Sequence, residues 1–229
     1  MQTLATIPFF KSATDLDLKP FERRCTWKKV EEGHVVVDFE DQSSDVYFLA
    51  SGDVRIQIRT AGGKEVILAD MRGGEFFGEL AAIDGVARSA NVTALTRAEI
   101  CIVSASVFRE MIAASPILAG NLLRLLASRI RDLNVRLLEH TVLDIRHRLY
   151  AELLRLSQPR PNAAPARIVS PPPVHHVLAA RIGCRREQIT RELGAMKTEG
   201  LMDRTRGAII LLQPDVLRER IADAMREAG

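Results

Sequence analysis

Residues 73–94 of this chain read GGEFFGELAAIDGVARSANVTA. Within that stretch, Gly78 lets backbone amides approach an anion closely, because glycine carries no Cβ. Residues 79–83 predict a short helix, whose N-terminus attracts negative charge. Arg88 brings a planar guanidinium that pairs with phosphate, and the Ser89 hydroxyl adds a donor. The stretch therefore predicts an anion site.

A carboxylate in the same stretch restricts which kinds of anionic ligand would fit. Glu79 is misplaced beside an anion unless it accepts a hydrogen bond from a hydroxyl such as a ribose 2′-OH. Glycine, glutamate, arginine and serine together suit one phosphate joined to one ribose. The alternative is a structural turn with a surface pair between Glu79 and Arg88. The residue types alone leave both interpretations open.

Composition places the chain among ordinary globular proteins. With 229 residues, 47% hydrophobic and 27% charged, it is long enough for two domains. It has no apolar run of membrane-spanning length, and Met1 to Ile7 lack a signal-peptide layout, so we expect a cytoplasmic protein without a membrane partner. Cys25, Cys101 and Cys184 match no metal or disulfide spacing and predict buried small hydrophobic side chains.

Short β-branched runs between glycine turns predict an all-β sandwich or barrel over residues 21–108. The predicted strands include residues 35–37, 46–49, 54–58, 66–68, 92–95 and 100–103. Apolar and polar residues alternate from Val54 to Arg59, which predicts one inward and one outward face. Ala61-Gly62-Gly63-Lys64 predicts the following hairpin turn.

The period changes to helical after Pro116. A 3-4-3-4-3 spacing is shared by Leu123, Leu126, Ile130, Leu133, Leu137 and His140. This seam predicts a parallel helix pair in a homodimer, although the chain's own β-domain could cover it instead. The helical pattern continues through Leu156, and the proline-rich residues 158–173 predict a loop with a short strand near residues 167–169.

Two short amphipathic helices meet at Gly183, which is helix-turn-helix spacing. The second helix presents side chains suited to base edges, namely Arg185, Arg186, Glu187, Gln188 and Arg191. A solvated helix face is the alternative, since residues 174–210 hold only seven Lys/Arg against four Asp/Glu. Residues 199–202 and 204–212 predict a winged hairpin whose Arg204 and Arg206 contact phosphates.

Two motifs resemble one family. Phe77-Gly-Glu-Leu-Ala, followed by Arg88-Ser-Ala and Val92-x-Ala, resembles the phosphate-binding cassette of a cyclic-nucleotide-binding β-roll. Arg186, Glu187 and Arg191 match the Arg-Glu-x-x-x-Arg set of the recognition helix in the same proteins. The chain thus resembles the cyclic-AMP receptor protein/FNR family of transcription regulators along nearly its whole length.

The resemblance implies an α+β fold in three parts. Residues 1–115 would form the β-roll, residues 116–157 the long dimerisation helix and hinge, and residues 158–229 a winged helix-turn-helix. The ligand residues carried over are Gly78, Ser89 and Arg88 on the phosphate, Glu79 on the 2′-hydroxyl, Leu80 beside them, and Arg129, Leu133 and Asn134 towards the base. Because Leu133 lacks the family's hydroxyl while Asn134 both donates and accepts, cyclic AMP is expected and cyclic GMP stays open.

The function implied is allosteric control of transcription, not catalysis. A homodimer would bind double-stranded DNA at a two-fold symmetric site with TGTGA-like half-sites and would contact RNA polymerase. A ligand-independent regulator, a cyclic di-GMP sensor and a gas sensor of the same fold remain alternatives. Val174 stands where the family has a capping threonine, so that phosphate contact is not carried over. His175 and His176 do not predict a metal site, since adjacent side chains on a helix diverge.

Overall fold

The computed structural model of the chain describes residues 3–60, 62–63, 65–161 and 163–227. These residues form two compact units, which divide between Arg129 and Ile130. Among the described residues, no single helix is both long and apolar enough to cross a membrane. Only the neighbouring helices Ala105–Ala114 and Pro116–Val142 reach that hydropathy together, and they meet at a bend of 112°.

The first unit is a β-roll with helices against it. In chain order it contains a 3-10 turn at Leu4–Thr6, α1 (Pro8–Lys11), α2 (Lys19–Glu22), β1 (Thr26–Val30), β2 (Val35–Val37), β3 (Val46–Ser51), β4 (Asp53–Arg59), β5 (Glu65–Arg72), β6 (Phe76–Phe77), α3 (Glu79–Asp84), β7 (Asn91–Ala94), β8 (Ala98–Val103), α4 (Ala105–Ala114) and the first half of α5 (Pro116–Val142). Its two sheets have the strand orders β1-β8-β3-β6 and β2-β7-β4-β5.

Strand β3 shows why the roll has two cores. Val46 and Phe48 pack against the helices on the outside, where the Phe48 and Phe108 rings lie 6.3 Å apart. Tyr47 and Leu49 face the second sheet. Because successive strand residues point to opposite faces, a strand covered on both sides is apolar throughout and does not alternate. The predicted all-β N-terminal domain is confirmed.

The alternation predicted for strand β4 is wrong beyond Ile56. Val54 is buried as expected, but the register against β5 shifts between Ile56 and Gln57, and Gln57 is buried instead of exposed. The extra residue of this bulge lies on the partner strand, because Ile56 faces Ala69 whereas Gln57 faces Ile67, and such an irregularity disrupts the strand pairing locally. The turn to β5 has Gly63 at φ +77°, while Ala61 and Lys64 of the predicted turn lie outside the described residues.

The cysteine prediction holds in part. Cys101 is fully buried between the strands and the outer helices. Cys25 and Cys184 are only half-buried.

The second unit is a winged helix-turn-helix. After the end of α5 it contains α6 (Ile145–Leu156), β9 (Gln158–Pro159), β10 (Arg167–Val169), α7 (His175–Ile182), α8 (Arg186–Thr198), β11 (Met202–Arg204), β12 (Ile209–Leu211) and α9 (Pro214–Glu227). The sheet order β11-β12-β10-β9 includes the strand predicted within the proline-rich segment. Side chains from α6, α7, α8, α9 and the sheet share one apolar core.

The sequence predicted a helical pattern that continues through Leu156, but the structure has two helices there. α5 ends at Val142, and Asp144 begins α6 by accepting a hydrogen bond from the His147 backbone N–H at 2.9 Å. Partial burial would raise the pKa of Asp144, but hydrogen bonds from the His147 backbone and ring outweigh it and lower that pKa. Apolar periodicity on both sides conceals this N-cap in the sequence.

Candidate functional site

Gly78 joins β6 to α3 in a conformation that other residues rarely adopt. Its φ is +86°, in the left-handed region. A Cβ at this position would lie 2.7 Å from Arg88 Nη1 and 2.7 Å from the Asp45 carbonyl oxygen. Glycine is therefore required here by its own backbone conformation and by the Asp45 carbonyl, and a Cβ would also press on the Arg88 guanidinium.

Arg88 is buried at this turn, with 4% of its surface exposed. Its Nη1 donates to the Gly78 carbonyl at 3.1 Å, its Nη2 to the Asp45 carbonyl at 2.7 Å and its Nε to Ser43 Oγ at 3.1 Å. All three acceptors are uncharged oxygens, and among the described residues no carboxylate lies within ion-pair distance of Arg88. A buried cation without a counter-charge is costly, so this site is chemically suited to an anion.

Tyr47 and Phe77 line the floor under Arg88. Their rings stack 5.1 Å apart, and the Arg88 guanidinium lies 5.4 Å above the Tyr47 ring. Burial raises the pKa of Tyr47, although the positive charge of Arg88 acts in the opposite direction.

Glu79 does not form the surface pair with Arg88 that the alternative interpretation expected. It is buried, with 3% exposed, and its Oε1 accepts from Arg129 Nη1 at 2.5 Å. Arg129 also donates from Nη2 to the Phe76 carbonyl at 2.8 Å. The structure thus places Arg129, expected near the base, on the carboxylate of the cassette.

The other predicted ligand residues are accessible. Leu80 and Ser89 are exposed in the first unit, on α3 and on the loop before β7. Leu133 and Asn134 are exposed on the part of α5 that belongs to the second unit. Among the described residues, no three metal-ligating side chains come together.

The helix-turn-helix forms as predicted. α7 ends at Ile182, its C-cap Gly183 has a φ of +69°, and α8 begins three residues later at Arg186. A Cβ on Gly183 would lie 3.3 Å from Cε1 of His140. Ile189, Leu193 and Met196 turn inward, so the opposite face of α8 is left to solvent.

That opposite face carries the predicted base-reading residues, but they differ in what they can do. Arg185, Arg186 and Glu187 are exposed at the start of α8. Gln188 instead accepts at Oε1 from the Arg185 backbone N–H at 2.9 Å, so its carbonyl already caps the helix. Arg191 is exposed and donates from Nε to Glu192 at 3.2 Å.

The wing carries Arg204 and Arg206, both exposed as expected. Arg204 Nη1 lies 3.1 Å from Nε2 of His175, the first residue of α7. Nδ1 of the same ring lies 2.8 Å from Thr190 Oγ1 on α8.

Sequence reasoning missed two groups of residues. Ser43 and Asp45 hold Arg88, and nothing in their local pattern distinguishes them from an ordinary polar loop. His175 and Thr190 form a link that no spacing rule predicts, because they are 15 residues apart on two helices.

The comparisons with known proteins agree with this geometry. Residues 27–115 match the cyclic nucleotide-binding domain family, and residues 147–220 match the Crp-like helix-turn-helix domain family. The chain is 31% identical to the cyclic AMP receptor protein of Thermus thermophilus over 205 residues, and this alignment covers 90% of each protein.

Solved structures share the fold at lower identity. A CooA mutant from Carboxydothermus hydrogenoformans has a TM-score of 0.74 at 17% identity and covers 87% of this chain and 88% of that one. The c-di-GMP responsive regulator CLP of Xanthomonas campestris has a TM-score of 0.67 at 22% identity and covers 82% and 94%. With a cassette built around a buried arginine, a helix-turn-helix and a full-length relative, the chain belongs to the CRP/FNR family and is a DNA-binding transcription regulator with a cyclic nucleotide-binding domain.

Proposed function

We propose that the chain is a homodimeric regulator controlled by cyclic AMP bound in the β-roll. The proposed ligand contacts are Gly78, Arg88 and Ser89 to the cyclic phosphate, Glu79 to the ribose 2′-hydroxyl, Leu80 beside the ribose, and Arg129, Leu133 and Asn134 towards the base. The ligand shifts an equilibrium between conformations that differ in their affinity for DNA.

One observation carries this proposal: the uncompensated positive charge of Arg88. The guanidinium is buried against neutral oxygens beside a glycine that leaves no room for a Cβ. A cyclic phosphate supplies one negative charge, and its oxygens accept from donors in a fork arrangement. A neutral ligand would leave this cation without a counter-charge.

Glu79 supports the ribose assignment. It lies next to Gly78 in sequence, and its Oε1 is bound by Arg129. A carboxylate has about four acceptor positions, so one hydrogen bond from Arg129 leaves others for a hydroxyl.

The dimer is proposed from the apolar seam of α5. Leu137 is 67% exposed, and the seam residues Leu123, Ile130 and Leu133 are likewise exposed. Large exposed side chains at heptad spacing are stabilised when a second helix packs on them. Leu133 is on this seam, and Asn134 is next to it in the sequence.

On DNA, we propose that Arg185, Arg186, Glu187 and Arg191 contact base edges and that Arg204 and Arg206 contact phosphates. Gln188 is assigned to helix capping, with its side-chain NH₂ still free to donate to a base. Two recognition helices related by a two-fold axis fit half-sites about one helical turn, or 34 Å, apart. The arginine and glutamate set favours TGTGA-like half-sites.

Calorimetric titration with cyclic AMP, cyclic GMP and cyclic di-GMP in parallel tests the ligand. Arg88→Ala should weaken cyclic AMP binding by about 100-fold, since a hydrogen-bonded charge pair contributes on the order of 3 kcal/mol. Arg97→Ala removes an arginine that is 70% exposed in its side chain and pairs with Glu31, and it should leave the affinity unchanged.

Each outcome of the titration decides something. If only cyclic di-GMP gives a heat of binding, cyclic di-GMP and not cyclic AMP is the ligand. No heat with any of the three, from protein that still binds DNA, would make the chain a ligand-independent regulator. If Arg88→Ala and the wild type bind the nucleotide equally well, the cassette around Arg88 is not the ligand site.

A further inference from the structure

His175 lies at a junction of three elements of the DNA-binding unit. Its ring is at the first turn of α7, its Nδ1 lies 2.8 Å from Thr190 Oγ1 on α8, and its Nε2 lies 3.1 Å from Arg204 Nη1 on β11. Thr190 Oγ1 in turn donates to the Arg186 carbonyl at 3.2 Å.

The chemistry of these partners fixes the direction of each hydrogen bond. A guanidinium only donates, so Nε2 of His175 must accept and cannot carry a proton. The proton is therefore on Nδ1, which donates to the Thr190 hydroxyl. The result is a single chain of donors from Arg204 through His175 and Thr190 to the Arg186 carbonyl.

The charges around the ring favour its neutral form. Burial lowers the pKa of His175, and the positive charges of Arg204 on β11 and Arg186 on α8 lower it further. Protonation would turn the accepting Nε2 into a donor facing Arg204 and would break the chain of hydrogen bonds.

We propose that His175 is a positioning residue that fixes the wing arginine Arg204 relative to the recognition helix, so that one rigid surface meets the DNA backbone. This inference rests on the proposed phosphate contact of Arg204. It also assigns a role to the start of α7, where Val174 has no side-chain oxygen to cap the helix or bind phosphate.

The salt dependence of DNA binding tests the proposal. Each phosphate contact contributes about 0.9 to the slope of log K against log salt. Arg204→Ala should lower the slope by about 1.8 for the two subunits of a dimer. His175→Ala should produce the same decrease although it removes no formal charge, because Arg204 is then no longer held in place.

A double variant and a rescue separate positioning from direct contact. In the His175→Ala/Arg204→Ala protein the slope should fall no further than in Arg204→Ala alone. His175→Gln should restore most of the slope, since its amide oxygen can accept from Arg204 near the place of Nε2. His176→Gln is the matched control, because His176 is the exposed neighbour and should leave binding unchanged.

The duplex for these measurements carries two TGTGA half-sites, and cyclic AMP is included at saturation. A full additive loss in the double variant, or lower affinity of His175→Ala at an unchanged slope, would overturn the positioning role. An unchanged slope in Arg204→Ala would instead overturn the phosphate contact on which the proposal rests.

Nitrogen NMR of the free protein distinguishes these two failures. If the link forms, the ring of His175 at pH 8 should be the neutral tautomer with its proton on Nδ1, as the hydrogen bonds to Thr190 and Arg204 require. Rapid exchange between both neutral tautomers would show that the link itself is absent.

Discussion

Nη1 of Arg129 lies 2.5 Å from Oε1 of Glu79, and this is the only charge partner that the described residues give the buried carboxylate. Arg129 is the last residue of the first unit, in the middle of α5. The ion pair therefore ties the long helix to the cassette.

Arg129→Met should destabilise the first unit. The substitution leaves Glu79 buried without its cation, and the free energy of unfolding should fall by about 2–3 kcal/mol. This is at or below the low end of the range for fully buried pairs, because Arg129 is partly exposed. Urea unfolding followed by the fluorescence of Trp27, the single tryptophan, measures this unit. The Glu79→Gln/Arg129→Met double variant should recover most of the loss, and a failure to recover would mean that Arg129 acts through packing on Phe76 instead.

Gly78→Ala should be more harmful than Gly85→Ala. Both glycines have positive φ, +86° and +73°, so both substitutions cost about 1 kcal/mol or more of backbone strain. Only at Gly78 would the new Cβ also meet Arg88, whereas nothing lies within 4 Å at Gly85. We expect Gly85→Ala to bind cyclic AMP normally and Gly78→Ala to lose the heat of binding, as measured by calorimetry. Similar heats from the two variants would show that Arg88 can move aside.

Asp144→Ala should lower the free energy of unfolding of the second unit by about 1 kcal/mol, the usual contribution of an N-cap. The carboxylate accepts from the His147 backbone N–H, and asparagine can accept in the same way. Asp144→Asn should therefore stay within a few tenths of a kcal/mol of the wild type. Circular dichroism at the helix band during urea unfolding measures both, and equal losses would point to the charge rather than the cap.

Acid should destabilise the second unit through two histidines. Burial and the nearby Arg148 lower the pKa of His140 below 6.5, and burial with Arg204 and Arg186 does the same for His175. The unfolded chain then binds protons first, so stability is complete above about pH 7 and falls as the pH drops from about 6.5 through the folded pKa values. Urea titrations between about pH 5 and 8 should show this slope.

The control for the pH dependence is the His140→Gln/His175→Gln variant, which should be flat in that window. A loss at lower pH should remain, because hydrogen bonds from Arg220 and His147 keep the pKa values of Glu199 and Asp144 below their ordinary values. An unchanged slope in the variant would assign the acid sensitivity to other groups.

Leu137→Asp should dissociate the proposed dimer, whereas Val135→Asp should not. Both side chains are large, apolar and more than half exposed, at 67% and 52%, but only Leu137 is on the heptad seam. Analytical ultracentrifugation over a range of concentrations measures the shift. Dissociation by both variants would indicate a broader contact than a two-helix seam.

The sequence was most informative where a residue type has few uses. Gly78, Arg88 and Gly183 were selected by residue type, and the structure has Gly78 and Arg88 at one turn and Gly183 at the turn after α7. It was least informative where tertiary contacts decide. The bulge between β4 and β5 and the cap at Asp144 leave no mark in the apolar pattern of the sequence, so periodicity cannot show them.

Side-chain partners were also beyond the reach of pattern reasoning. Arg129 and Glu79 are 50 residues apart, and Arg204 and His175 are 29 apart. A base-reading role for Gln188 fits its residue type, yet its oxygen is used by the helix itself. Polar residues have several partners available to them, and only the fold selects one.

The unbalanced charge of Arg88 also bears on how long the protein survives in the cell. A fold that buries a cation against neutral oxygens is less stable than it becomes when an anion arrives, and a ligand at 100 times its Kd adds about 2.7 kcal/mol. Proteases degrade the unfolded fraction, which that gain lowers by about 100-fold. The effector would thereby set the lifetime and abundance of the regulator as well as its affinity for DNA, so that a cell poor in the signal would also hold less of its receptor.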